Sequence, residues 1–150
     1  MADLRELYQE VILDHNKSPR NFHAVKDANR TVKGFNPLCG DQYVITARIE
    51  DGVVKDIGFE GSGCAISKAS ASVMTTSVKG KTVDEAERLI DRFHDLVTGH
   101  ADAKGETTGY EKMVAFAGVS EFPTRVKCAT LAWHTLRALL ETREEMVSTE

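Results

Sequence analysis

Residues 43–60 admit few local structures. Tyr43, Ile45, Ala47 and Ile49 alternate mostly with polar residues, Asp51-Gly52 follows, and Val53–Glu60 returns with a second apolar-rich run. Alternation of period two around an Asp-Gly pair predicts a β-hairpin with one buried face, because only glycine and a few polar residues accept the positive φ angles of the tight turn. A hairpin alone cannot bury that face, so the rest of the chain has to cover it.

The flanking segments supply helices. Leu4, Leu7, Tyr8, Val11, Ile12 and His15 recur at helical spacing, and Ser18-Pro19-Arg20-Asn21 ends that run. Residues 22–38 are polar, with Gly34 and Asn36-Pro37 as punctuation and a short edge strand expected around Arg30–Phe35. Gly61-Ser62-Gly63 is expected to close the second hairpin strand. Residues 64–79, rich in Ala, Ser and Met, predict a helix packed through small side chains. Lys81-Thr82 before Val83-Asp84-Glu85-Ala86 starts another, running to about Leu96. Residues 98–110 are the most loop-like stretch, with a short helix expected at 111–117. Pro123 opens the last helix, where Val126, Thr130, Trp133, Leu136 and Leu140 form one apolar stripe. The expectation is an α+β fold in a single domain over residues 1–150.

Composition narrows the function. A net charge of −4 without a Lys/Arg run gives no reason to expect nucleic acid, and no apolar stretch approaches a membrane span of about 18 residues. The first residues carry acids at once, unlike a signal peptide, which points to the cytoplasm. Three cysteines in a reducing compartment are buried and inert, catalytic, or metal ligands rather than a disulfide framework.

Each cysteine stands near an element boundary. Cys39 lies in the turn Pro37-Leu38-Cys39-Gly40-Asp41, and Cys39 and Asp41, two apart, share a face if strand geometry reaches back that far. Cys64 follows Gly61-Ser62-Gly63 and opens a helix, where free backbone N–H groups favour a thiolate. Cys128 lies in the first turns of the last helix beside Arg125 and Lys127, whose charges would offset part of a dianionic site. Three thiolates and one carboxylate match a closed four-coordinate zinc site, and the same set suits an iron–sulfur cluster. Spacings of 25 and 64 residues match no compact zinc-finger pattern, so buried, inert cysteines stay open as an alternative. Two further readings are a cysteine hydrolase pairing Cys64 or Cys128 with His15 or His134, and a zinc domain that only docks partners. His15, on an apolar stripe, is expected to be a packed residue, and Trp133 a core residue.

Longer stretches carry a resemblance. They are Leu7-Tyr8, Val11-Ile12-Leu13-Asp14-His15 and Pro19-Arg20-Asn21, then Asn36-Pro37-Leu38-Cys39-Gly40-Asp41. Phe59-Glu60-Gly61-Ser62-Gly63-Cys64-Ala65-Ile66-Ser67, Ala69-Ser70-Ala71-Ser72, Gly118-Val119-Ser120 and Phe122 to Leu131 follow. In this order they resemble the SufU branch of the IscU-like (NifU N-terminal-like) iron–sulfur cluster assembly family. The resemblance implies an IscU-like three-stranded antiparallel sheet flanked by helices, with zinc held by Cys39, Asp41, Cys64 and Cys128. It implies that Cys39 accepts persulfide sulfur from a PLP-dependent cysteine desulfurase of SufS type, once a partner histidine binds the zinc and frees it, with downstream SUF assembly proteins as further partners. Arg125 is a candidate to orient Asp41 or steady the persulfide. Scaffolds of the IscU type resemble this chain but carry histidine where Lys127 stands, and they lack an insertion that here falls within 98–121. The resemblance therefore implies a sulfurtransferase ahead of a scaffold bearing a transient cluster on the same ligands.

Overall fold

In the computed structural model, residues 4–37, 40–98, 116, 119, 123–141 and 146–148 are described. Helix α1 (Leu4–Lys17) leads into strands β1 (Arg30–Asn36), β2 (Asp41–Glu50) and β3 (Val53–Ser62), followed by helices α2 (Ala65–Val78), α3 (Val83–Thr98) and α4 (Pro123–Glu141) and a short strand β4 (Met146–Ser148). Strands β1, β2 and β3 form the expected antiparallel meander, with β1–β2 in register from Arg30↔Ala47 to Asn36↔Asp41. The β2–β3 hairpin turns at Asp51 and Gly52, with φ of 54° and 72°, the left-handed pair that a two-residue turn requires.

Two expectations change. Strand β1 is not an edge over its whole length, because β4 pairs with it in parallel from Lys33↔Met146 to Phe35↔Ser148. Strand β3 ends at Ser62, within the Gly61-Ser62-Gly63 stretch expected to close it, and Gly61 stays in the pairing because it adopts φ 138° and its missing Cβ lets Gln42 O come within 2.0 Å of where one would stand. Helix α4 has more than one apolar stripe: Cys128 to Trp133 are buried without interruption, as are Leu136 and Ala138 to Leu140. The loop expected at 98–110 and the helix at 111–117 lie outside the described residues except for Thr98 and Phe116.

Helix α4 runs against β1 and β2, α2 lies against β3 and α4, and α1 and α3 flank that pair. Small residues make the closeness possible. A Cβ on Gly34 would sit 2.0 Å from Thr135 Oγ1, so β1 offers bare backbone to the Thr135 side chain of α4. Helix α2 buries Ala69, Ser70, Ala71, Ser72 and Val73 in one run, and its hydroxyls are bonded: Ser70 Oγ donates to Ala129 O at 2.5 Å, and Ser72 Oγ meets His15 Nδ1 at 2.7 Å. The core also holds Trp133, stacked on Phe93 at 4.4 Å, with Phe116 against Phe93 at 5.6 Å. Thr82 and Glu85 cap α3 reciprocally, the Glu85 N–H donating to Thr82 Oγ1 at 3.1 Å and the Thr82 N–H to Glu85 Oε1 at 3.3 Å. The Arg30 guanidinium donates to the carbonyls of Leu139 and Leu140, closing the C-terminal end of α4.

Candidate metal centre

The ends of β1, β2 and β3 and the starts of α2 and α4 bring three predicted ligands together. Asp41 is the first residue of β2 and is fully buried. It follows Gly40, which has φ 72° and donates its N–H to Asn36 O at 2.8 Å, so the chain reverses sharply there. Strand geometry therefore does not reach back from Asp41 through Gly40. Cys64 is the N-cap of α2, and its sulfur accepts the Ser67 N–H at 3.4 Å. Cys128 stands in the second turn of α4, fully buried, and its sulfur accepts from the Asn36 side-chain amide at 3.7 Å. The donor found for Cys128 is thus an asparagine of β1 rather than the first turn of its own helix.

One ligand atom from each of Asp41, Cys64 and Cys128 lies within 4.8 Å of the others. Two sulfurs of a tetrahedral zinc stand about 3.8 Å apart at the usual Zn–S length, so closing on one ion requires these ligand atoms to draw in by up to about 1 Å. Asp41 Oδ1 accepts the Cys64 N–H at 2.8 Å, whereas Oδ2 is buried with no hydrogen-bond partner among the described residues. A buried carboxylate oxygen without a partner costs free energy that a cation would recover. The chemistry of the donor set and this orphaned oxygen both fit a bound metal.

The surroundings are built as tightly. Tyr43, exposed to only 1%, bonds Ser67 Oγ at 2.9 Å, and Ser67 Oγ donates to Cys64 O at 3.0 Å. The serine has one proton and gives it to the carbonyl, so the phenol is the donor to Ser67. Burial pushes the Tyr43 phenol pKa up, the hydrogen bond to Ser67 opposes this, and the charges of Asp41, Cys64 and Cys128 add to the rise. Tyr43 therefore keeps its proton. A Cβ on Gly63 would stand 2.5 Å from Ser67 Oγ and 2.6 Å from both Asp41 Oδ1 and Tyr43 O–H, so only glycine fits at this crossing.

Of the residues singled out in the sequence, Asp41, Cys64 and Cys128 converge, and Cys39 lies outside the described residues. Arg125 is exposed on the first turn of α4 and does not bond Asp41 Oδ2. Tyr43, Ser67, Asn36 and Gly63 were not anticipated as site residues. Tyr43 looks like one more apolar member of the strand alternation, and nothing local says that its hydroxyl meets a helix N-terminus. His15 is packed, as expected, with Nδ1 on Ser72. His134 lies against His94, ring centroids 6.0 Å apart. Burial lowers its pKa, with His94 and Arg137 acting in the same direction. The thiol donors found are Ser67 and Asn36, which gives the cysteine–histidine hydrolase no support.

Comparison with known proteins agrees with this geometry. The sequence profile of the NifU-like N terminal domain matches residues 7–129. The zinc-dependent sulfurtransferase SufU of Bacillus subtilis is 42% identical over 135 residues, covering 90% of each chain. The iron–sulfur cluster assembly scaffold protein IscU of Streptococcus pyogenes is 38% identical, covering 94% of this chain and 87% of its own. A crystal structure from Fervidobacterium islandicum, described as an iron–sulfur cluster assembly scaffold protein for the SUF system, superposes with a TM-score of 0.82 at 31% identity, covering 89% of this chain and 96% of its own. No helix among the described residues is long and apolar enough to cross a membrane. Profile, relatives and fold agree over most of the chain, which belongs to the NifU-like N-terminal domain family, whose relatives named here are a zinc-dependent sulfurtransferase and iron–sulfur cluster assembly scaffold proteins.

Proposed function

We propose that this chain is a zinc-dependent sulfur acceptor of iron–sulfur cluster assembly. It takes sulfur from a PLP-dependent cysteine desulfurase of SufS type and hands it to downstream SUF assembly proteins in the cytoplasm. The observation that carries this reading is the convergence of Asp41, Cys64 and Cys128 with one carboxylate oxygen buried and unbonded. Cys39 completes the ligand set by connectivity. It is two residues before Asp41, and consecutive Cα atoms are about 3.8 Å apart, so its Cα lies within about 7.6 Å of Asp41's. Three sulfurs and one oxygen suit zinc. Bound there, zinc would keep the thiols deprotonated and tie β2, α2 and α4 together.

Cys39 is the residue that takes the sulfur. Its thiolate attacks the outer sulfur of the donor's cysteine persulfide. A sulfur–sulfur bond forms on Cys39 as the donor's own breaks, and the electron pair leaves with the donor thiolate, so the exchange involves no net oxidation. Gly40 beside it has a left-handed backbone and open space around its Cα, which suits a residue that must approach a partner. Arg125, exposed at the start of α4, offers a charge to steady the persulfide anion. The whole of residues 1–150 is assigned to one domain, with a branch-type insertion within 98–121.

The second reading is an IscU-type scaffold, with the cluster assembled on the same four ligands. It draws on the scaffold names of the Streptococcus relative and of a Thermotoga maritima relative 37% identical over 135 residues. Lys127 before Cys128 favours the acceptor, since a protonated lysine is a poor metal ligand. Metal analysis with a visible spectrum separates the two. A colourless protein with about one zinc is expected, and a brown protein with iron and sulfide overturns the acceptor reading. Removing the zinc should lower stability by about 4 kcal/mol if the ion was present at a thousand times its dissociation constant. Incubation with a cysteine desulfurase and cysteine should leave the added sulfur on Cys39, and sulfur mainly on Cys64 or Cys128 would count against that role.

A further inference from the structure

The two described sulfurs each accept a hydrogen bond, Cys64 from the first turn of the helix it caps and Cys128 from β1. Cys64 Sγ accepts from the Ser67 backbone N–H at 3.4 Å, and Ser67 is fixed by its own hydroxyl: Oγ donates to Cys64 O at 3.0 Å and accepts from Tyr43 at 2.9 Å. The phenol of β2 thus holds the first turn of α2 closed on the Cys64 sulfur. Cys128 Sγ accepts from Asn36 Nδ2 at 3.7 Å, and Asn36 is a fully buried residue of β1 paired in register with Asp41. Next to an anionic sulfur the amide nitrogen, not its oxygen, must face the thiolate. An N–H donor to a metal-bound thiolate withdraws charge from the sulfur and orients it, so it stays a ligand and becomes a weaker nucleophile.

We infer that Asn36 and the Tyr43–Ser67 pair are positioning residues that reserve Cys128 and Cys64 for the metal and leave sulfur acceptance to Cys39. The assignment deepens the sulfur-acceptor reading and rests on it. It gives the two described thiols a ligand's task through the hydrogen bonds made to them.

The test uses the full-length zinc-loaded protein and the variants Asn36→Leu and Tyr43→Phe. Each receives limiting iodoacetamide, and the modified cysteines are mapped by peptide mass spectrometry. In parallel, each is incubated with a cysteine desulfurase and cysteine, and the persulfide is located in the same way. Asn36→Leu should raise labelling of Cys128 several-fold with Cys64 unchanged, and Tyr43→Phe should do the reverse. Part of the persulfide should follow the sulfur that has lost its donor in each case. Zinc release to a chelator should be about tenfold easier in both, as for lost outer-shell partners of other metal ligands. Labelling that rises equally at all three cysteines would mean general loosening and overturns the assignment, as do unchanged ratios. Tyr43→Phe keeps the ring and its edge contact with Phe59 at 5.8 Å, so it decides the matter if Asn36→Leu does not fold. Parent protein with no sulfur on Cys39 sinks the acceptor reading, while the labelling ratios still judge the donors. A parent that holds no zinc overturns both.

Discussion

Trp133 and Asp41 are both almost wholly buried, at 1% and 0% exposure, yet their surroundings are finished in different ways. Trp133 lies stacked on Phe93, and its Nε1–H donates to Ser70 Oγ at 3.0 Å, which in turn donates to Ala129 O. Every need of that side chain is met by this chain. Asp41 has one oxygen bonded to the Cys64 N–H and the other without a partner among the described residues, beside two sulfurs and a phenol that keeps its proton. The first region is complementary to itself. The second is complementary to a cation, so its polar groups gain most from something the chain does not contain.

That contrast can be broken at three points, taken from the largest effect to the smallest. Trp133→Ala should cost about 3–5 kcal/mol in denaturant unfolding, the range for removing a large buried aromatic. The loss should be the same with and without zinc. A loss that depends on zinc would show that the aromatic layer and the metal centre act as one unit.

Gly63→Ala should act on the other region. The added Cβ meets Ser67 Oγ, Asp41 Oδ1 and Tyr43 O–H at 2.5–2.6 Å, so one of these must shift. About 1–3 kcal/mol is expected, as for overpacking elsewhere, with weaker zinc retention in a chelator competition. Equal melting and equal zinc retention would mean that the crossing of β3 over Asp41 is looser than its geometry suggests.

Asp41→Asn sharpens the comparison most because the two states should move in opposite directions. Asparagine keeps an oxygen for the Cys64 N–H and removes the buried negative charge of the unbonded Oδ2. The zinc-free protein should gain about 1 kcal/mol, the low end of the cost of an unsatisfied buried group. The zinc-loaded protein should lose stability, since a neutral amide is a poorer ligand. A zinc-free protein destabilised by the change would mean that the fold already satisfies Asp41.

Much of the architecture was legible from local pattern. The hairpin at Asp51-Gly52, the Thr82–Glu85 cap and Pro123 at the start of α4 all act through neighbours a few residues away, so short windows contain their cause. The pairing of β4 beside β1 joins residues over a hundred positions apart, and no window holds both. The near-complete burial of α4 was under-read for a related reason. Its threonines and alanines look neutral in sequence and become interior only when β1, α2 and α3 close around them.

At the metal centre the division is sharper. Residue type made Asp41, Cys64 and Cys128 candidates, and the resemblance of the stretches around them to a metal-binding family joined them into one ligand set. Which donors those ligands receive depended on the tertiary structure. Asn36 is 92 residues from Cys128, and Tyr43 is 24 from Ser67. Sequence carries chemical identity, which is a property of single residues. A hydrogen bond of about 3 Å between distant strands and helices depends on register and crossing, and packing of the whole core sets both.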